Sequence, residues 1–334
     1  MSAWEAVRYR DLGGVLRKIE LEIGNELHLP GAALPARIVT DPANVSMIQK
    51  WVPEHVGERD ACSYDLLDAE IRASTRLGQM YGGSGNPGRL AAAVGYNVDV
   101  AEPFVLLEPY CGVPLVFRRL ELDELREFAI SLLWTLQQTA AAGVVHGAVR
   151  LASLRWDSQA RTLQLVDFER ALRQGDPRRP VSTIYGLSRE QVEGAGQADV
   201  RDDMWGAGMV IRQLSVGPYT NGSENLPTQV QVLLQGVFAD TATARPHATD
   251  LLARLGIADS VSNARDPDAA LAPGRHFFDQ IIARKHLVTS PQDHEVLSPG
   301  SAASANGART PMPVVVGVFL LLVVAVVVLL VVFR

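Results

Sequence analysis

The feature that most constrains this chain is an uncharged run near its end, where Val314 to Phe333 reads VVVGVFLLLVVAVVVLLVVF. About 20 residues at roughly 1.5 Å rise each span about 30 Å, the hydrocarbon thickness of a bilayer. The run predicts a transmembrane helix over residues 313–333, with Arg334 after it. The opening MSAWEAVRYRDLGG has no apolar stretch of the signal-peptide kind. Arg284, Lys285 and Arg309 precede the run and suit a cytoplasmic face. The expectation is a single-pass protein of the cell membrane, tail-anchored at its C-terminus, with its N-terminal domain in the cytoplasm and the lipid bilayer as one partner.

The rest of the chain has globular composition. Of 334 residues, 47% are hydrophobic and 20% charged, enough for one domain of about 250 residues with accessory segments. A net charge of −6 argues against nucleic acid as a partner, because phosphate binding needs a basic surface. Cys62 and Cys111 are far apart with no metal-ligand spacing, and are expected as reduced residues of a packed interior.

Hydropathy divides the remainder. Ile19, Leu21 and Ile23 alternate with charged neighbours, the period of a half-buried strand; further apolar pieces lie at Ala36–Val39, Met47–Val52 and Phe104–Leu107. Tyr64 to Leu77 reads as a helix. From Leu122 the spacing of Leu125, Phe128, Leu132, Leu133 and Leu136 predicts a buried helix that runs to about Ala142 and stops at Gly143. Short strands are expected at Leu154–Trp156 and Leu163–Val166, then helices at Asp199–Val216, Thr228–Val237 and Ala248–Leu255. Strands followed by helices predict an α+β fold of two lobes. Residues 257–312 read as a linker, Ser/Ala/Gly/Pro-rich toward its end. Gly274 to Leu287 within it could form an amphipathic helix, with Phe277, Phe278, Ile281 and Ile282 on one face, against the membrane or docked on the domain.

Several segments then fall in a familiar order. VVHGAVRLASLRW, LQLVDFE and DDMWGAG resemble the catalytic loop H-R-D-x-K-x-x-N, the D-F-G segment and the bracing helix of the protein-kinase family, bacterial Ser/Thr kinases most of all. MIQKWVP resembles the strand of the phosphate-binding lysine, here Lys50, and AEIRASTRL the helix of its glutamate partner, here Glu70. VLLEPYCGVPL resembles the hinge, where backbone groups from Glu108 to Tyr110 would meet an adenine. SREQVEG places Glu190 in the A-P-E position, to pair with Arg245; Asp203 would brace the loop that starts at His146. The resemblance covers roughly residues 25–256. It implies a two-lobed protein kinase-like fold, with a strand-rich N-lobe over 1–110 and a helical C-lobe over 111–256.

The departures bear on function. Ala148 stands where the catalytic aspartate would accept the substrate proton, a contribution of about 10²–10⁴-fold. Gly147 replaces the arginine that would pair with a loop phosphate, and Ser153 the asparagine that holds a metal ion. Arg150 keeps a cation in the lysine's place, and Asp167 keeps the other metal ligand. Glu169 takes the glycine position of D-F-G, costing backbone freedom there. The glycine-rich lid is reduced to LPGAALPARI, with Gly31 alone.

The resemblance with these losses implies no catalytic residue in the loop His146, Gly147, Ala148, Arg150 and Ser153. It leaves a candidate nucleotide site at Lys50, Glu70, Glu108, Tyr110 and Asp167, with Asp167 the candidate ligand for magnesium and ATP the candidate nucleotide. No cofactor is required by the leading reading, a catalytically impaired pseudokinase serving as a regulatory or scaffolding module. Its partners would be proteins at the membrane, such as active kinases or envelope and secretion machinery. An ATP-binding sensor, or a phosphoryl or nucleotidyl transferase using Asp167 or Glu169 in relocated chemistry, stands as the alternative.

Overall fold

The computed structural model describes residues 4–81, 89–115, 119–181, 186–217, 226–257 and 276. The first half is built on strands β1 (Trp4–Asp11), β2 (Leu16–Glu26), β3 (Ala36–Thr40) and β4 (Ser46–Trp51). A short helix α1 (Glu54–Gly57) and the long helix α2 (Cys62–Tyr81) follow, then β5 (Ala93–Asn97) and β6 (Phe104–Leu107). These strands form one closed antiparallel barrel in the order β1-β2-β3-β4-β6-β5.

Alternation explains the layers. On β4, Ile48 joins the cluster with Leu67 and Ile71 of α2, whereas Met47 and Trp51 face the barrel interior with Leu21, Val39, Phe104 and Leu106. Strand β6 is apolar throughout because it is covered on both faces, with Val105, Leu106 and Leu107 wholly buried. The first pair, β1 with β2, runs for seven residues from Trp4↔Glu22 to Arg10↔Leu16. The closing seam is much shorter, only Arg10↔Tyr96 and Asp11↔Gly95. A bulge between Ala93 and Gly95 bends β5 toward β1.

The second half is mainly helical. β7 (Val113–Pro114) precedes α3 (Leu122–Ala141), β8 (Val144–Val145), β9 (Leu154–Asp157), β10 (Thr162–Leu165) and β11 (Leu172–Arg173). Then come α4 (Arg189–Glu193), α5 (Asp202–Val216), α6 (Thr228–Leu233) and α7 (Ala248–Arg254). Helix α3 carries the core with Leu125, Phe128, Leu132, Leu133 and Leu136, all buried against α5, α7 and β10. Gly143 ends this region in the left-handed conformation, φ 64°. Barrel and helices belong to one compact unit.

The structure corrects the expected two-lobed kinase-like fold. Pairing of β1 with β5 joins the two edges of the N-terminal sheet, so the strands close into a barrel instead of forming the strand-rich lobe of that fold. The tail-anchored description has no counterpart among the described residues, where no helix is long and apolar enough to cross a membrane. The expected span at 313–333, the linker and nearly all of the amphipathic segment lie outside the described residues. Helix α2 is longer than expected and α6 shorter. Both cysteines are free and exposed, not interior.

Gly95 sits where the seam allows no side chain. A Cβ there would meet the Tyr9 ring and, at 2.5 Å, the backbone oxygen of Arg10. Gly95→Val should therefore lower unfolding stability by about 1–3 kcal/mol through forced strand separation, read as a lower urea midpoint.

Candidate functional site

The site begins with one lysine. Lys50 lies on β4 between Ala36 and Val105 and is completely buried. An ammonium group has three N–H donors, and here each meets a carboxylate. They reach Glu70 Oε2 of α2 at 3.1 Å, Asp167 Oδ1 at 2.6 Å and Glu169 Oε1 at 3.0 Å. Burial opposes the lysine's charge, but the surrounding acidic groups, Glu70 foremost, hold its pKa well above the usual value.

Three carboxylates against one ammonium leave an excess of negative charge in a dry place. Burial, reinforced by Glu169 and Asp167, raises the Glu70 pKa to about 7 although Lys50 pulls it down. Glu70 Oε1 is buried with no hydrogen-bond partner, the natural place for the proton such a cluster retains.

Glu169 does more than neutralise the lysine. Its Oε2 accepts the backbone N–H of Ala33 at 2.7 Å, and Leu34 N–H approaches both carboxylate oxygens at 3.4 Å. The Arg150 guanidinium donates to the Gly31 carbonyl of the same segment. Residues 31–34, which the sequence offers as remnant of a lid, are thus pinned down from two sides. The left-handed backbone position falls on Asp167, φ 64°, and Glu169 needs no glycine-like conformation.

The neighbouring loop is held by local bonds. Asp203 of α5 accepts the backbone N–H groups of His146 at 2.7 Å and Gly147 at 2.8 Å. His146 Nε2 lies 3.0 Å from the Val166 carbonyl, so it carries the proton, and Nδ1 accepts from Ala148 N–H at 3.3 Å. Burial lowers the His146 pKa to about 4 and raises that of Asp203 to about 7. Gly147, φ 75°, leaves no room for a side chain, since a Cβ would stand 2.6 Å from the Arg170 carbonyl. Ser153 is buried; its hydroxyl accepts from Arg150 N–H at 3.1 Å and lies 3.0 Å from the Arg150 carbonyl, capping the turn. Ala148 is buried and offers only a methyl group.

At the expected hinge, Glu108 N–H is spent on the Ala92 carbonyl at 2.9 Å, and its side chain is exposed. The Tyr110 hydroxyl is buried without a partner; burial keeps it un-ionised, with Lys50, Glu70, Asp167 and Glu169 all within electrostatic reach. Glu190 and Arg245 meet in an ion pair, with Arg245 also 3.7 Å from Asp202 and stacked at 5.0 Å on Trp205. Among the described residues no group of three or more His, Cys, Asp or Glu is arranged around a metal position.

The structure therefore joins Lys50, Glu70 and Asp167, and adds Glu169 as a fourth member with a role the sequence reading did not give it. A glutamate where backbone freedom is expected was the available signal. Glu108 stands apart from this cluster. No protein-family model matches the chain, and no curated protein matches it.

The cluster gives a pH signature. Between about pH 4.5 and 7 folded Glu70 holds a proton that the unfolded chain has released, so its contribution is full below 4.5 and is lost as pH rises through 7. His146 acts oppositely: its stabilising neutral state is lost as pH falls from 6.5 through about 4. Comparing Glu70→Gln with the parent cancels His146 and Asp203. The variant should gain on the parent by on the order of 1–3 kcal/mol as pH rises across that Glu70 window and plateau above it, measured by urea unfolding at each pH.

Proposed function

We propose that this chain is a catalytically silent protein-binding module, regulatory or scaffolding in role, whose central polar cluster is filled by its own side chains. The observation that carries the reading is the saturation of Lys50: all three ammonium donors go to carboxylates of the same chain. A phosphate would need those donors and the backbone N–H groups of residues 31–34. The Glu169 carboxylate already takes one of those donors and the Ala33 N–H.

The chemistry around the cluster supports the same reading. General-base transfer needs a proton acceptor within hydrogen-bond reach of a substrate, and the loop offers the Ala148 methyl at that place. The transferase alternative would need Asp167 or Glu169 free, whereas both are bound to Lys50. The reading draws on the resemblance of the motif segments, not on a two-lobed architecture. Placement at the membrane is part of the proposal through the apolar composition of residues 314–333 alone; there it would concentrate the module toward membrane-bound protein partners.

The test is a thermal-shift titration of the full chain with ATP and Mg²⁺ or Mn²⁺, beside radiolabel transfer assays. No shift up to millimolar nucleotide and no labelled product are expected. Glu169→Ala should release one Lys50 donor and the N–H groups of Ala33 and Leu34, so this variant is expected to gain an ATP-dependent rise in Tm. A shift in the unaltered chain that Lys50→Ala abolishes, or any labelled product, would overturn the proposal.

A further inference from the structure

The face of β4 opposite to Lys50 holds a second polar arrangement, away from the cluster already described. Because the β1–β5 seam comprises two residue pairs, the barrel stays open beyond it. A cavity of about 670 Å³ lies at this end, floored by Leu21, Val39, Trp51 and Phe104. All four floor residues are buried. That volume is in the range of small-molecule sites, which recur at the mouths of barrels.

One cation is built into its wall. Arg37 on β3 stands directly across from Gln49 on β4. Its Nε donates to Gln49 Oε1 at 2.7 Å, and its guanidinium lies 4.6 Å from the Trp51 ring centroid. Gln49 is itself buried, so the bond that orients the guanidinium is anchored in packed structure. Arg37 makes no salt bridge among the described residues, and its two terminal nitrogens have no hydrogen-bond partner there. A guanidinium with its plane fixed and its outer edge unpaired is prepared for two parallel bonds to a carboxylate.

The rim does not supply this preference. Its charges balance, Arg8, Arg10 and Arg37 against Glu5, Asp99 and Glu102. Arg10 is engaged with Asp99 at 3.2 Å, and Glu102 accepts the N–H of Glu54 at 3.3 Å. Selectivity therefore comes from the geometry of Arg37, not from a general field. Apolar floor and fixed fork together define the ligand.

We propose that the open end of the barrel binds a small organic carboxylate with an apolar or aromatic body, the carboxylate on Arg37 and the body on Leu21, Val39 and Phe104. The site is independent of the nucleotide question, since Lys50 points to the other side of the same strand.

Phenylpropionate and phenylpropanol, alike except for the charged group, serve as probes in calorimetric titration of the full chain. The acid should bind with a Kd of about 0.1–1 mM, the alcohol at least about tenfold more weakly. Arg37→Gln should remove that difference, and Arg37→Lys, which keeps the charge without the fork, should retain only part of it. Equal affinities for acid and alcohol, or no saturable binding below about 10 mM, would overturn the site. Should Arg37→Gln not fold, the acid-to-alcohol ratio on the unaltered chain decides alone.

Discussion

A fully buried ammonium group is tolerable only when charge and hydrogen bonds are returned to it by the protein, and Lys50 obtains both from three directions. Glu70 comes from a helix, Asp167 and Glu169 from the segment after β10, and Lys50 itself from the barrel wall. Removing Lys50 would leave the carboxylates without their cation in a dry interior, a change worth about 3–5 kcal/mol in comparable buried pairs. The cluster thus fixes α2 against the barrel and the barrel against the helical half. It also holds residues 31–34 down through Glu169. Stability and closure of the site come from the same bonds.

Strand β4 links this cluster to the rest of the barrel by its twofold period. Ile48 and Lys50 face α2, while Met47, Gln49 and Trp51 face the lumen. A one-residue slip would exchange the faces, burying Gln49 against α2 and sending Lys50 into an apolar interior. The register is therefore set by polar residues as firmly as by apolar ones. The buried amide of Gln49, whose oxygen holds Arg37, and the saturated ammonium of Lys50 are adjacent consequences of one strand placed correctly.

The sequence was most readable where the pattern is long or repetitive. The stripe from Leu125 to Leu136 predicts α3 to within a residue at its end, and the apolar pieces around Val39, Ile48 and Val105 become β3, β4 and β6. The strands that close the barrel were least readable. In β1, WEAVRYRD mixes charge with only weak alternation, and its residues are largely exposed. In β5, AVGYN is five residues long with a glycine and a bulge. Closure rests on pairing between residues about 85 positions apart, which local pattern does not encode. In the cluster, ordered motif segments brought forward Lys50, Glu70 and Asp167. They gave no means of seeing that Glu169 would turn inward and take the N–H groups of Ala33 and Leu34.

The residues that depart from the kinase motifs have structural work where they stand. Gly147 adopts φ 75° beneath the Arg170 carbonyl, where a Cβ would collide. Ser153 caps its own turn through its hydroxyl. Glu169 replaces conformational freedom with a carboxylate that accepts from both Lys50 and the 31–34 segment. Ala148 fits a buried position beside the neutral His146 ring, where an ionised aspartate would need partners that are already spent on Asp203. Around the loop and the cluster, Arg150 Nε, the Tyr110 hydroxyl and Glu70 Oε1 are buried without a hydrogen-bond partner. The contacts that fill the cluster, Glu169 with Lys50 and with the Ala33 N–H, are the same contacts that hold residues 31–34 in place, so the cluster's occupancy and the local fold depend on one set of bonds.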